Sequence, residues 1–392
     1  MLLYLILILL GLSFIIYFSQ VMALRKKLNE RIHENFTPPV SVIKPLKGLD
    51  DNLFDNLESF CRQNYPDYEV ILSLENKNDP AYRVAEKIRN KYPDKVTIVI
   101  DNSNKALNPK IKNMIKAYRI SKYDYFLISD SNVCVEHDYL RKTVSSMNEE
   151  VGLVTNLIVG TGGKSLGSIL ENLQLNSFII LSVCFLDKFL KMPCSIGKSM
   201  LMRKKDFEEI GGFSLVQDVL AEDYLIGKLM HEKGKKVVLS NYMIKNVNEY
   251  WSIKRFLNRH TRWAKIRWKI GGVKYFSEPL TNPVMIASII PLFYAFSNLS
   301  LISLTLFALS VLIKTTGDYL VMKMIKQNPG KKILLSPLKD LLSGIIWFVP
   351  FLTSKVNWRG NLYLISENTI LLPVMDSSLK RTYLKFKTLF SH

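Results

Sequence analysis

The stretch YDYFLISDSNV, residues 123–133, carries an apolar run, Tyr125 to Ile128, straight into an aspartate, a serine and an asparagine. A short apolar run bounded by turn formers reads as a buried strand. Asp130, Ser131 and Asn132 can close such a strand simply by bonding their short side chains to nearby backbone. They can also do chemistry. At the end of a buried strand, Asp130 and Asn132 present hard oxygen ligands on one side of a turn. Such oxygens suit Mg2+ or Mn2+ when a substrate's phosphates complete the shell. The segments on either side decide between these readings.

Upstream, strand-like and helix-like patterns alternate. PVSVIKPLKG (39–48) is a strand ending in a Pro and Gly turn, and DDNLFDNLESFCRQN (50–64) has an acidic start with Leu53, Leu57 and Phe60 at helical spacing. YEVILSL (68–74) is a second strand, DPAYRVAEKIRNKY (79–92) a helix with proline in its first turn, and KVTIVI (95–100) a third strand. Strands separated by helices imply βαβ units and a mainly parallel sheet, hence an α/β fold. Ligands bind such sheets beyond the carboxyl ends of the strands. Those ends read ENKNDPA (75–81), DNSNKALNPK (101–110) and SDSNV (129–133), placing Asp79 and Lys110 with Asp130 as a candidate diphosphate site. GTGGKS (160–165) looks like the end of a phosphate-binding P-loop, but the glycine that motif needs at position 158 is Ile158, and the segment reads as a flexible loop.

The chain has 392 residues and a formal charge of +19, and its apolar residues are unevenly spread. Residues 1–24 and 279–313 contain no charged side chain. The first run suits one bilayer-crossing helix of roughly 20 residues, and the second suits two short helices meeting near Ser297 to Ser300. A cleaved signal peptide would need a basic start and a shorter apolar core, so an uncleaved anchor is expected. Arg25, Lys26, Lys27 and Arg31 follow it, which sets the next region on the cytoplasmic side.

Basic residues cluster beside apolar segments, with nine Lys or Arg against the single acid Glu249 between Lys245 and Lys274, and Lys380, Arg381, Lys385 and Lys387 near the end. That placement suits an anionic membrane surface and phosphate groups rather than nucleic acid, for which no fold signature is present. Cys61, Cys134, Cys184 and Cys194 form no CxxC pair and no metal-ligand spacing, and read as reduced packing residues.

Two later stretches offer reactive groups. In VLAEDYLIGKLMHEKGKKVVLS (219–240), Glu222 and Asp223 are adjacent, so on a helix they point about 100° apart and do not pair on one face. One of them can face a cleft and remove a hydroxyl proton, or both can simply complement a helix N-terminus. In NRHTRWAKIRW (258–268), Arg259 and Arg262 share a helix face and Trp263 adjoins them. Arginines hold phosphates and Trp offers a flat surface to a sugar, while a basic helix with Trp also suits a membrane interface.

Taken in order, PVSVIKPLKGLD, NDPA, NPKIKN, ISDSNV, SMLMRK, IGGF, AEDY and RHTRW resemble the ceramide glucosyltransferases, glycosyltransferase family 21, and bacterial relatives that glycosylate other lipids such as hopanoids. The resemblance covers residues 2–272 with motif support. It implies a GT-A (Rossmann-like) domain, a UDP-sugar donor, a divalent metal (Mg2+ or Mn2+), a lipid acceptor such as ceramide, and inversion at the anomeric carbon. It further implies that Asp79 lies on the nucleotide side, that Asp130 belongs to the metal and diphosphate motif, that Asp223 is the catalytic base, and that Arg259, Arg262 and Trp263 form the (Q/R)xxRW motif. The chain departs from general GT-A patterns at Asn132, where a second acid is common, and at Asn76 and Asn78.

The expected organisation is a transmembrane helix at 1–24, a basic linker at 25–37, a cytosolic GT-A domain at 38–275, C-terminal membrane helices at 279–313 and 333–354, and a basic tail at 355–392. Within the domain, 250–270 reads as an amphipathic basic helix. The apolar segment 169–192 reads either as an interfacial part of a lipid entrance or as a buried core helix. Two rivals remain. A processive polysaccharide synthase would need more membrane helices to line its channel, and a silent lipid-binding scaffold is opposed by the retained Asp130, Asp223, Arg262 and Trp263.

Overall fold

The computed structural model describes residues 2–30, 36–102, 106–298, 300–358 and 360–374. Arg31 and the four basic residues from Lys380 to Lys387 lie outside them.

The run at Tyr125–Ile128 is a strand, β4, near the middle of an eight-stranded sheet. β1 (Val40–Pro45), β2 (Tyr68–Leu74) and β3 (Val96–Ile100) precede it, and β5 (Val133–Cys134), β6 (Val151–Thr161), β7 (Met200–Arg203) and β8 (Lys236–Val247) follow. The order across the sheet is β3-β2-β1-β4-β7-β6-β8-β5. The half from β3 to β4 is parallel. Its strands are largely apolar because both faces are covered, as expected for parallel sheets, with Ser41, Lys44, Glu69 and Ser73 as buried polar exceptions. Val42, Val70 and Leu72 join a core with Leu53, Leu57 and Phe60 of the helix Leu53–Cys61, while Ile43 and Ile71 point the other way onto Ile111 and Met114 of the helix Pro109–Ile120. β7 then runs antiparallel to both β4 and β6, reversing the chain beside the carboxyl end of β4.

The first helix, Leu2–Leu28, continues four residues past the expected end of the span, with Arg25, Lys26 and Lys27 on its last turn. Nothing there interrupts it, since neither proline nor glycine stands between Ser13 and Leu28. Its N-terminal half packs Ile6 and Leu10 against Ile286 and Ile290 of the helix Pro283–Tyr294, which leads into the helix Ser300–Met324. Lower down, the Tyr17 hydroxyl donates to Asp318 at 2.9 Å within a buried network of Lys314, Asp318, Lys339 and Asp340. At the end of the helix the Lys27 ammonium reaches Asp187 at 2.8 Å and the Leu239 carbonyl at 2.8 Å.

Four helices among the described residues are long and apolar enough to cross a membrane: the first, Leu166–Lys188, Ser300–Met324 and Gly330–Leu352. Leu166–Lys188 contains the expected segment 169–192 up to Lys188, with a π-helical turn at Leu175–Ile179. Much of it is buried, and Asn176 clasps the Gly160 backbone of β6 through both its amide atoms. Gly160 has no room for a side chain, since a Cβ would stand 2.6 Å from the Asn172 oxygen.

The expected tail at 355–392 is folded where it is described. Three antiparallel strands, β9 (Lys355–Trp358), β10 (Asn361–Ile365) and β11 (Leu371–Pro373), return onto the main domain. Val356, Tyr363, Ile365 and Leu371 bury against Leu220, and the Leu220 N–H donates to the Thr369 carbonyl at 2.9 Å. Apolar alternation on one face of three short strands suffices to seat them.

Candidate active site

A cleft of about 750 Å³ opens at the carboxyl end of β4, and Lys110, Asp130, Asn132, Asp223, Arg259, Arg262 and Trp263 all line it. Seven of the eight residues singled out from the sequence therefore converge. The eighth, Asp79, stands back from the lining. Its carboxylate accepts the Gly48 N–H at 2.9 and 3.1 Å and the Ala81 N–H at 2.9 Å, so it reaches the cleft only by fixing the loop that carries Gly48. Gly48 has φ of 70°, a backbone state that glycine adopts without strain.

Asp130 lies between two ammonium groups, Lys110 at 3.1 Å and Lys198 at 2.9 Å. Burial opposes its ionisation, but the two cations outweigh burial and hold its carboxyl well below the usual carboxylate range. Lys110 starts the helix Pro109–Ile120, whose first turn is capped by the Asn108 side chain. Its ammonium also reaches Glu222 at 3.0 Å and donates to the Gly197 carbonyl at 2.7 Å. Burial lowers its affinity for a proton, yet Asp130, Glu222 and Asp223 together raise it above the ordinary lysine value.

Glu222 and Asp223 both line the cleft, where the sequence assigned it only one of them. The loop from Ser195 to Lys198 meets the start of the helix Glu222–Glu232, and so the cleft is contacted by successive side chains rather than by one helix face. Glu222 is buried, held by Lys110 and by the Asn108 amide at 3.3 Å, and burial first, with Asp223 adding to it, raises its carboxyl above the normal range. Asp223 is the more accessible. One of its oxygens accepts the Gly197 N–H at 2.8 Å and the other the Tyr224 N–H at 2.8 Å, which aims the carboxylate. A Cβ at Gly197 would come within 2.8 Å of Asp223 Oδ2 and 3.1 Å of Lys110 Nζ, so the close approach needs glycine.

On the opposite wall the helix Ile253–Gly271 carries the expected basic stretch, 250–270. Its N-terminus is capped by Ser252, and its apolar positions pack on Leu166–Lys188 and on the C-terminal helices. The Arg259 guanidinium stacks near the Trp263 and Trp251 rings, 4.4 and 5.2 Å from their centroids, and its Nη1 lies 3.0 Å from buried Glu171. Glu171 also holds the His260 ring at 2.7 Å. Arg262 approaches the Trp358 ring of β9 at 5.6 Å.

Lys198, Trp251 and Trp358 are among the lining residues that escaped the sequence reading. Lys198 donates to Asp130 Oδ2 at 2.9 Å and to Asn132 Oδ1 at 2.7 Å, bridging the two expected metal ligands. Among the described residues no group of three His, Cys, Asp or Glu is placed to hold a metal ion by itself.

A mixed sheet with a charged cleft at the carboxyl end of its parallel half, and helices suited to a bilayer packed against it, defines a GT-A glycosyltransferase. The family model for glycosyl transferase family 21 matches residues 4–371, and the chain belongs to that family. Ceramide glucosyltransferase 3 of Caenorhabditis elegans is 28% identical over 92% of this chain and 81% of the relative. Ceramide glucosyltransferase 1 of the same organism is 26% identical over 87% and 74%. Among solved structures, the mannosyltransferase PcManGT from Pyrobaculum calidifontis, in complex with GDP-Man and Mn2+, aligns with a TM-score of 0.50 over 87% of this chain and 99% of that one. At 15% identity this likeness speaks for the fold alone.

Proposed function

We propose that this glycosyltransferase moves glucose from UDP-glucose to the hydroxyl of a membrane lipid, ceramide or a lipid of similar shape, with inversion at the anomeric carbon. The observation that carries this reading is the two-sided cleft. One side holds Lys110, Asp130, Lys198 and Asp223. The other side exposes Ile179 and Val183 of Leu166–Lys188, a helix that packs on the first helix and so opens towards the bilayer. A diphosphate suits the first side and an acyl chain the second.

Asp223 acts as general base, since its carboxylate is aimed by two backbone donors and stays accessible. Lys110, Arg259 and Arg262 neutralise charge on the departing UDP. Asp130 and Asn132 turn two hard oxygens towards one point, where an ammonium now lies, and this donor set fits a divalent ion whose other ligands come from the donor's phosphates. Such an ion, when bound, stabilises the diphosphate leaving group. The relatives' names favour ceramide as acceptor. Purified protein in nanodiscs, given UDP-glucose and ceramide, should yield glucosylceramide by mass spectrometry. UDP release with sugar going only to water, or polymer as the product, would sink the lipid-acceptor reading, and product from diacylglycerol or a hopanoid alone would transfer it to that lipid.

The same reading assigns the catalytic domain to the cytoplasm, because Arg25, Lys26 and Lys27 end the first helix. Both ends of Gly330–Leu352 touch the catalytic domain: Lys332 donates to the Gly163 carbonyl at 2.7 Å, and Lys265 donates to the Lys355 carbonyl at 2.5 Å. Leu166–Lys188 is likewise held at both ends, by Ser165 on the Trp251 carbonyl and by Lys27 on Asp187. In this reading neither segment crosses: the first helix spans the bilayer, and Pro283–Tyr294, at twelve residues too short to span by itself, forms with Ser300–Met324 a hairpin that enters the bilayer and returns the chain to the same side. Single cysteines at the exposed positions Asn148 and Asn361, in a background lacking the native thiols, are expected to be shielded together from an impermeant reagent in intact cells and labelled together in inverted vesicles. Opposite behaviour at the two positions would refute this arrangement.

A further inference from the structure

We propose that Lys198 is a resident cation of the donor site, holding Asp130 and Asn132 together in the donor-free enzyme, keeping a divalent ion out, and passing to the diphosphate when the donor brings the ion in. This rests on the reading of Asp130 and Asn132 as ligands shared with a donor diphosphate.

Two features of the geometry support it. The first is charge. The Asp130 carboxylate meets two ammonium groups, at 3.1 and 2.9 Å. Lys110 is shared with Glu222, so Lys198 is the cation that offsets Asp130, and a divalent ion arriving alone would meet a carboxylate already paired and a neighbour of its own sign. A nucleoside diphosphate reverses that balance, because its oxygens supply both the missing negative charge and an alternative partner for an ammonium. The second is the pinned backbone beneath Lys198. The Thr155 hydroxyl accepts the Ile196 N–H at 3.1 Å and lies 2.8 Å from the Ser199 carbonyl, to which it donates. Gly197 is held through its N–H by Asp223 and through its carbonyl by Lys110, and the Ser199 hydroxyl donates to Asn156 at 2.5 Å. The loop cannot shift as a body. The four-carbon stem of Lys198 is what remains free to turn, and it can carry the ammonium several ångströms without disturbing Asp223.

The consequence is an order of events: metal does not load before donor. Binding of Mn2+ to the purified full-length protein, followed by electron paramagnetic resonance of the free ion, separates the cases. The wild type is expected to bind Mn2+ poorly alone and stoichiometrically with UDP. Lys198→Met should bind Mn2+ without UDP at least about tenfold more tightly than the wild type. At saturating Mn2+ the same variant should bind UDP about tenfold more weakly, having lost the cation that moves to the phosphates. Lys198→Arg retains the positive charge and should still exclude the ion, which guards against a general loosening of the site. Equal donor-free Mn2+ affinity in Lys198→Met and the wild type, with UDP-dependent binding intact, would overturn the role of Lys198 and leave the metal site standing. Absence of Mn2+ binding in every variant, UDP included, would overturn the metal site itself.

Discussion

Asp223→Asn is expected to lower kcat for lipid glycosylation by roughly 10²- to 10⁴-fold, the usual contribution of a positioned general base. UDP-sugar affinity should stay within about twofold, because the residues proposed to face the diphosphate, Lys110 and Asp130, keep their own partners. The two backbone contacts sharpen the test. Asparagine retains one acceptor oxygen, so either the Gly197 or the Tyr224 N–H loses its partner, and a stability loss of about 1 kcal/mol should accompany the change. A purely structural Asp223 would show that loss of stability with near-normal turnover. Rate and donor affinity must therefore be measured separately, and a fall in kcat alone identifies the base. If turnover stays close to wild type, the role passes to Glu222, which would first have to release Lys110.

The parallel half of the sheet was legible because its signal is local: apolar runs of strand length, helices between them, and polar residues immediately after each strand. Asp130 and Lys110 could be singled out for that reason, whereas Asp223 was singled out from the adjacent acids at a helix start and from the family resemblance. The whole tail was assigned to a basic extension because β9, β10 and β11 are only four, five and three residues long, and their burial depends on Leu220, far away in sequence. Trp358 was lost with them.

Lys198 is the more instructive omission. The motif SMLMRK was noticed, but only as a family mark, and its neighbour in space depends on a pairing that hydrophobic periodicity does not encode. β7 is antiparallel to β4 with Ile128 opposite Met200. Continuing that ladder two residues past the strand end sets Asp130 across from Lys198, and side chains two apart lie on the same face. Knowledge of the register alone would have found the contact. Asp79 shows the converse, an aspartate after a strand whose position looked chemical and whose contacts are those of a loop and helix anchor.

The second large effect concerns the strand end itself. Asp130→Ala should abolish the Mn2+-dependent part of UDP-sugar binding, a loss of roughly 10²-fold, equivalent to about 3 kcal/mol of charge stabilisation. The protein should remain folded in membranes, because β4 is held by Phe126, Leu127 and Ile128 in the two cores and Asp130 contributes to neither. Removing the carboxylate does leave two ammonium groups facing each other. Lys110 retains Glu222 and the Gly197 carbonyl, and Lys198 retains Asn132, so neither is stranded. Those same cations give the experiment its discriminating power. With Asp130 gone they can still attract a diphosphate in the absence of metal, so weak donor binding should persist and be indifferent to Mn2+. Undiminished affinity that still rises with Mn2+ would remove Asp130 from the metal site, and the ion would then have to be sought on the donor phosphates alone.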